Sequence, residues 1–127
     1  MRFPLAVSLL FAASLTALAD PAPPAAGAEI NALLTKLQSS ACEFNRNGTW
    51  YPATEARSHL QMKLKHLEDH NAVQTAEQFI DLAASGSSMS GKPYLVRCGA
   101  SAPVESKVWL TTELKALRAS GKAAVGK

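Results

Sequence analysis

Three groups of polar residues carry types and spacings that chemistry could use. Glu55, His59 and Lys63 recur every four residues, which puts a carboxylate, an imidazole and an ammonium in one row on a helix. Such a row either stands in solvent as i, i+4 pairs or forms a polar site at the edge of a core. Gly86, Gly91 and Lys92 reproduce the G-x-x-x-x-G-K part of a phosphate-binding loop, inside a Ser/Gly stretch that holds Ser87, Ser88 and Ser90. His66 and His70 have the i, i+4 spacing of helix-borne metal ligands.

Each group lacks a piece of the machinery it resembles. Pro93 stands where a phosphate-binding loop needs Ser or Thr for magnesium, and a strand rather than a helix follows. The sequence contains no G-x-S-x-G elbow and no S-x-x-K, because the residue three before Lys92 is Met89. No Glu follows His66, as a zinc-protease helix requires, so neither metal nor cofactor is expected. The Ser85–Lys92 loop is short in side chains and rich in backbone N–H groups, which suits it to wrapping an anion or a partner's backbone. The candidate binding patch is therefore Glu55, His59, Lys63, Ser87, Ser88, Ser90, Gly91, Lys92 and Tyr94. A non-catalytic binding or interaction module is the leading expectation, with a protein, a cell-wall fragment or an anionic ligand as partner. The alternative is a small cell-envelope hydrolase using His59 with Glu55 or a loop serine.

Elements must bring these residues together, and the pattern of the chain supplies them. Ile30, Leu33, Leu34 and Leu37 predict an amphipathic helix over 28–40. Asn47-Gly48, entered from Arg46 and flanked by Phe44, Thr49, Trp50 and Tyr51, predicts a hairpin with a type I′ turn. Pro52 opens a second helix running to about Asp69, with Ala56, Leu60, Leu64 and Leu67 as its buried stripe. Thr75 and Gln78 have capping-box form ahead of a third helix with Phe79, Ile80 and Ala83 inward. Tyr94–Cys98 reads as a strand, and Ser106–Arg118 as a last helix built on Val108, Leu110, Leu114 and Leu117.

Cys42 and Cys98 are the two cysteines of the chain. They are expected to form a disulfide, because residues 1–19 have the basic start, apolar run and Ala-Leu-Ala cleavage site of a secretory signal peptide. Cleavage after Ala19 would leave a periplasmic or secreted chain with no stable membrane insertion. If Cys42 sits beside Cys98 in an antiparallel ladder, Phe44 faces Val96 and Arg46 faces Tyr94. A length of 127 residues fits a single domain, and a net charge of +3 is too mild for a nucleic-acid partner.

The motifs Arg46-Asn47-Gly48, Glu55-Ala56-x-x-His59-Leu60-x-x-Lys63, Thr75-Ala76-Glu77-x-Phe79-Ile80 and Ser88-x-Ser90-Gly91-Lys92-Pro93-Tyr94 occur in that order. Over about 44–98 the chain resembles the YfeK-like family, small exported proteins of Gram-negative bacteria whose domain has no assigned function. The resemblance implies a bacterial envelope protein and brings no activity with it. The disulfide rests on the cysteine count, not on the resemblance. The expected architecture is α+β and mostly helical: about four helices, a small antiparallel sheet made of the hairpin plus one strand, and one disulfide. Residues 20–28 are expected as a flexible Pro/Ala-rich leader, 29–119 as the globular domain and 120–127 as a flexible tail.

Overall fold

A computed structural model describes residues 24–125. The segment expected as a signal peptide and the first part of the expected leader lie outside the described residues. Four helices, α1 (Pro24–Ser39), α2 (Ala53–Asp69), α3 (Ala76–Phe79) and α4 (Ser106–Val125), pack around an antiparallel sheet. Its strands are β1 (Glu43–Arg46), β2 (Thr49–Tyr51), β3 (Leu95–Arg97) and β4 (Val104–Glu105), in the spatial order β2-β1-β3-β4.

The hairpin forms as its turn chemistry demands. Asn47 and Gly48 take φ values of 51° and 88°, and the Gly48 N–H donates to Asn45 Oδ1 at 3.1 Å. This pairs Phe44 with Tyr51 and Arg46 with Thr49. On its other side β1 pairs with β3, with Phe44 opposite Val96 as expected. Cys42 and Cys98 are joined by a disulfide across Cα atoms 4.3 Å apart at the end of this ladder. Side chains alternate along strands, so Phe44, Arg46, Tyr51 and Val96 share the face that looks toward the helices.

Under that face lies the apolar core. Ile30, Leu33, Leu34 and Leu37 of α1, Ala56 and Leu60 of α2, Phe79 and Ile80, and Leu110 and Leu114 of α4 are all buried against it. Thr75 caps α3 by accepting from the Gln78 N–H at 3.1 Å. Gln78 closes the box one residue further back than the motif predicts, accepting from the Gln74 N–H at 2.7 Å. Arg118 ties three helices together at the surface, reaching Glu29 on α1 at 2.8 Å and Glu77 on α3 at 2.7 Å.

Five features differ from the sequence expectation. Helix α1 begins at Pro24, so the last part of the supposed leader is helical. Proline is at home in a first helical turn, and the alanines behind it are strong helix formers, with Ala26 buried. At the other end α4 continues to Val125, through most of the segment expected as a tail. Val108 is 55% exposed, because the i, i+4, i+7 stripe of Leu110, Leu114 and Leu117 faces elsewhere, and Trp109 packs against the core instead. The third helix widens at Ile80–Ala84 into a π-helical turn, whose end is fixed by the Ser85 hydroxyl donating to Ile80 O at 2.6 Å. Finally, the sheet has a fourth strand. After the turn at Gly99, where the Ser101 N–H donates to Cys98 O, the chain returns to pair Val104 with Val96 and covers the free edge of β3.

Candidate functional site

The row on α2 meets the sheet through two of its three members. His59 lies within hydrogen-bond distance of Arg46 on β1, Nδ1 to Nη1 at 2.6 Å, and of Tyr94, Nε2 to Oη at 3.2 Å. Lys63 Nζ donates to Tyr94 Oη and to Gly86 O, each at 3.0 Å. Tyr94 itself is buried, its ring 5.1 Å from that of Phe44, so core packing fixes the hydroxyl on which the network converges.

The direction of each bond follows from what each group can do. A guanidinium has no acceptor, so His59 Nδ1 must accept from Arg46. The neutral ring then carries its hydrogen on Nε2 and donates it to Tyr94, whose oxygen also accepts from Lys63. Burial first, then the charges of Arg46 and Lys63, lower the His59 pKa from 6.5 to about 4 and keep the ring neutral. No carboxylate closes the network: the ion pairs of the described residues lie elsewhere. Arg46 is clamped on its other side by Tyr51, whose ring centroid lies 4.4 Å from the guanidinium carbon. Its Nε is buried without a hydrogen-bond partner.

This cluster forms one wall of an open cleft of about 510 Å³ lined by Arg46, Thr54, Glu55, Ser58, His59 and Met62. Glu55 is exposed there and does not bond His59 or Lys63. A second hollow of about 300 Å³ on the far side of Met62 is lined by Lys63, His66, Leu67, Leu82 and Ser88.

The Ser/Gly loop is joined to the site differently from the expectation of an anion-wrapping loop. Five of its amides are already used: the Ser87 N–H donates to Lys92 O, the Gly91 N–H to Ser87 O, the Met89 and Ser90 N–H groups to Ser87 Oγ, and the Lys92 N–H to Ser90 Oγ. The loop holds the hairpin tip instead. Ser90 Oγ donates to Asn47 Oδ1 at 2.6 Å and Asn47 Nδ2 donates to Ser87 Oγ at 3.4 Å. The Lys92 side chain is exposed beyond this contact. His66 and His70 are exposed, with Nδ1 of His70 against the carbonyl of His66 at 2.8 Å. Among the described residues no group of three or more metal-ligating side chains comes together.

A family model for a family of unknown function (DUF5329) matches residues 24–118, which takes in every element carrying the site. The chain belongs to this family. It is also 50% identical over 68 residues to an uncharacterized protein, YfeK, of Salmonella typhimurium strain LT2, an alignment covering 53% of this chain and 55% of the relative. The chain thus matches just over half the length of that curated relative. The domain is YfeK-like, and no solved structure matches it.

Of the patch expected from the sequence, the structure brings His59, Lys63 and Tyr94 together and adds Arg46, which was expected only as a hairpin residue. The register had already set Arg46 opposite Tyr94, and that was the available signal. Thr54, Ser58 and Met62 were missed as cleft residues, although they form the i, i+4, i+8 row next to Glu55, His59 and Lys63. The pairing of His59 with Glu55 or a loop serine is not formed, since both ring nitrogens face Arg46 and Tyr94.

Proposed function

We propose that this chain is an exported, non-catalytic binding module of the bacterial envelope, and that its binding face is the cleft between β1 and α2. One observation carries the reading. Arg46 is held between Tyr51 and His59, has no carboxylate partner among the described residues, and lines a hollow large enough for a small ligand. A fixed guanidinium loses little freedom when it binds, which favours recognition. His59 in this reading positions Arg46 and carries no proton in a reaction. The apolar run of residues 1–19 and the disulfide both support an oxidising, extracytoplasmic setting.

Ser58 is exposed on α2 and lines the cleft without joining the Arg46–His59–Tyr94–Lys63 network, so Ser58→Trp fills the hollow from outside. The immobilised protein is expected to retain components of an envelope extract that the Ser58→Trp form, equally stable to heat, lets pass. Equal retention by both forms would place binding elsewhere, and no retention by either would remove the reading. Export is checked by N-terminal sequencing of the periplasmic fraction, with Asp20 expected first; protein still beginning at Met1 there would overturn it.

A further inference from the structure

We propose that the cleft recognises a small zwitterion, with the ligand's carboxylate on Arg46 and its ammonium group on Glu55. The inference rests on reading this cleft as the binding face, and it names the class of ligand. Two opposite charges line one hollow and do not pair with each other or with any other described side chain of opposite charge. Arg46 cannot swing toward Glu55 without leaving both the Tyr51 ring and His59. Glu55 rises from the first turn of α2 and lines the hollow together with Thr54 and Ser58. The hollow is therefore lined by a fixed cation and a separate anion.

The charge pattern discriminates among simple ligands. A lone carboxylate gains Arg46 but meets the like charge of Glu55. A lone ammonium gains Glu55 but meets the like charge of Arg46. A molecule carrying both groups satisfies both ends, through charge-assisted bonds that are about twice as strong as neutral ones. His59 adds no charge of its own, because Nδ1 is committed as an acceptor to Arg46. Met62, 65% exposed, offers the apolar wall against which the carbons between the two groups would lie. The shared chemistry, a carboxylate and an ammonium on one small frame, belongs both to a free amino acid and to a short peptide, which differ in the separation of the charges.

The test is a titration of the isotopically labelled full chain, followed by amide chemical shifts, with glycine, Gly-Gly, acetate and methylammonium at low salt. Glycine or Gly-Gly is expected to shift the amides of 54–62 and to bind at least about tenfold more tightly than either single-charge probe, the equivalent of one contact. Whichever of the two binds more tightly identifies the charge separation and so the source. Glu55→Gln, an exposed change, should bring the better zwitterion down to the affinity of acetate while leaving acetate no weaker. Arg46→Gln should abolish acetate and zwitterion binding together, and its far-UV spectrum verifies that the fold persists. Acetate binding as tightly as both zwitterions, or a Glu55→Gln chain that binds them unchanged, would overturn the inference and leave the binding cleft standing. So would silence from all four probes while Ser58→Trp still abolishes retention of an extract component. Loss of that retention as well would take both readings down.

Discussion

Arg46 can only donate hydrogen bonds, and this property dictates the state of its neighbour. A protonated His59 would present an N–H to the guanidinium from Nδ1, donor against donor, at a contact that is now 2.6 Å. Burial first, and then the charges of Arg46 and Lys63, oppose the proton as well, so the folded ring resists it down to about pH 4, whereas the unfolded chain takes it near 6.5. As pH falls through that window the unfolded state binds a proton the folded state refuses, so stability declines from 6.5 and levels off below about 4. Carboxylates titrate in the same range, so the comparison is with His59→Gln, whose side-chain carbonyl can accept from Arg46 and does not ionise. Urea midpoints of the two chains should converge as pH drops from 7 to 4, and parallel profiles would show that His59 is not the titrating group. Much of this residue-level picture was readable. The four-residue row and the strand register together put His59, Lys63, Tyr94 and Arg46 in one neighbourhood. What could not be read was which partner each polar atom chooses, because that depends on distances of a few tenths of an ångström.

At the scale of elements, the loop between the π-helical turn and β3 owes its shape to a close approach of backbone to backbone. Gly86 forms an isolated antiparallel bridge with Pro93, and a Cβ added to Gly86 would lie 2.9 Å from the Lys92 carbonyl oxygen. Neither strand of that contact can yield as a side chain would. Gly86→Ala is expected to cost about 1–3 kcal/mol, in the range of overpacked sites. It should also loosen the hold of Lys63 on Gly86 O and of Ser87 and Ser90 on Asn47. Urea unfolding reads the first effect and amide exchange at 86–92 the second; a midpoint identical to the parent's would mean that the bridge contributes nothing. The elements legible in the sequence were those with a strong local signal: the Asn47-Gly48 turn, the Thr75 cap and the apolar stripes of α1 and α2. Those that escaped have weak ones. Strand β4 has two residues, too few for an alternation to register. The π-helical turn keeps Phe79, Ile80 and Ala83 buried and differs in its backbone bonding, which the residue pattern does not record. Pro24 and its alanines read equally well as leader or as helix start until a core is present to bury Ala26.

For the whole molecule, the disulfide closes 56 residues of chain, α2 and α3 among them. Removing it as Cys42→Ala/Cys98→Ala should lower stability by about 4 kcal/mol in the chain-entropy account. Calorimetry or urea unfolding of the oxidised and double-variant forms measures the difference, and a change below about 1 kcal/mol would mean that the reduced chain is already held compact. The central β1–β3 pairing has a kinetic side as well. Its strands lie about as far apart in sequence as the two cysteines, while the helices between them rest on local bonds. Local structure forms in microseconds and distant pairing waits on loop closure, so the helices precede the sheet during folding. Arg46 and His59 lie 13 residues apart, but Tyr94 joins them only when that last pairing closes. If the chain is exported and binds as proposed, that pairing brings the two cysteines together and seats Tyr94 against His59 in one step, so the wall of the binding face is set as the chain stops being a target for proteases.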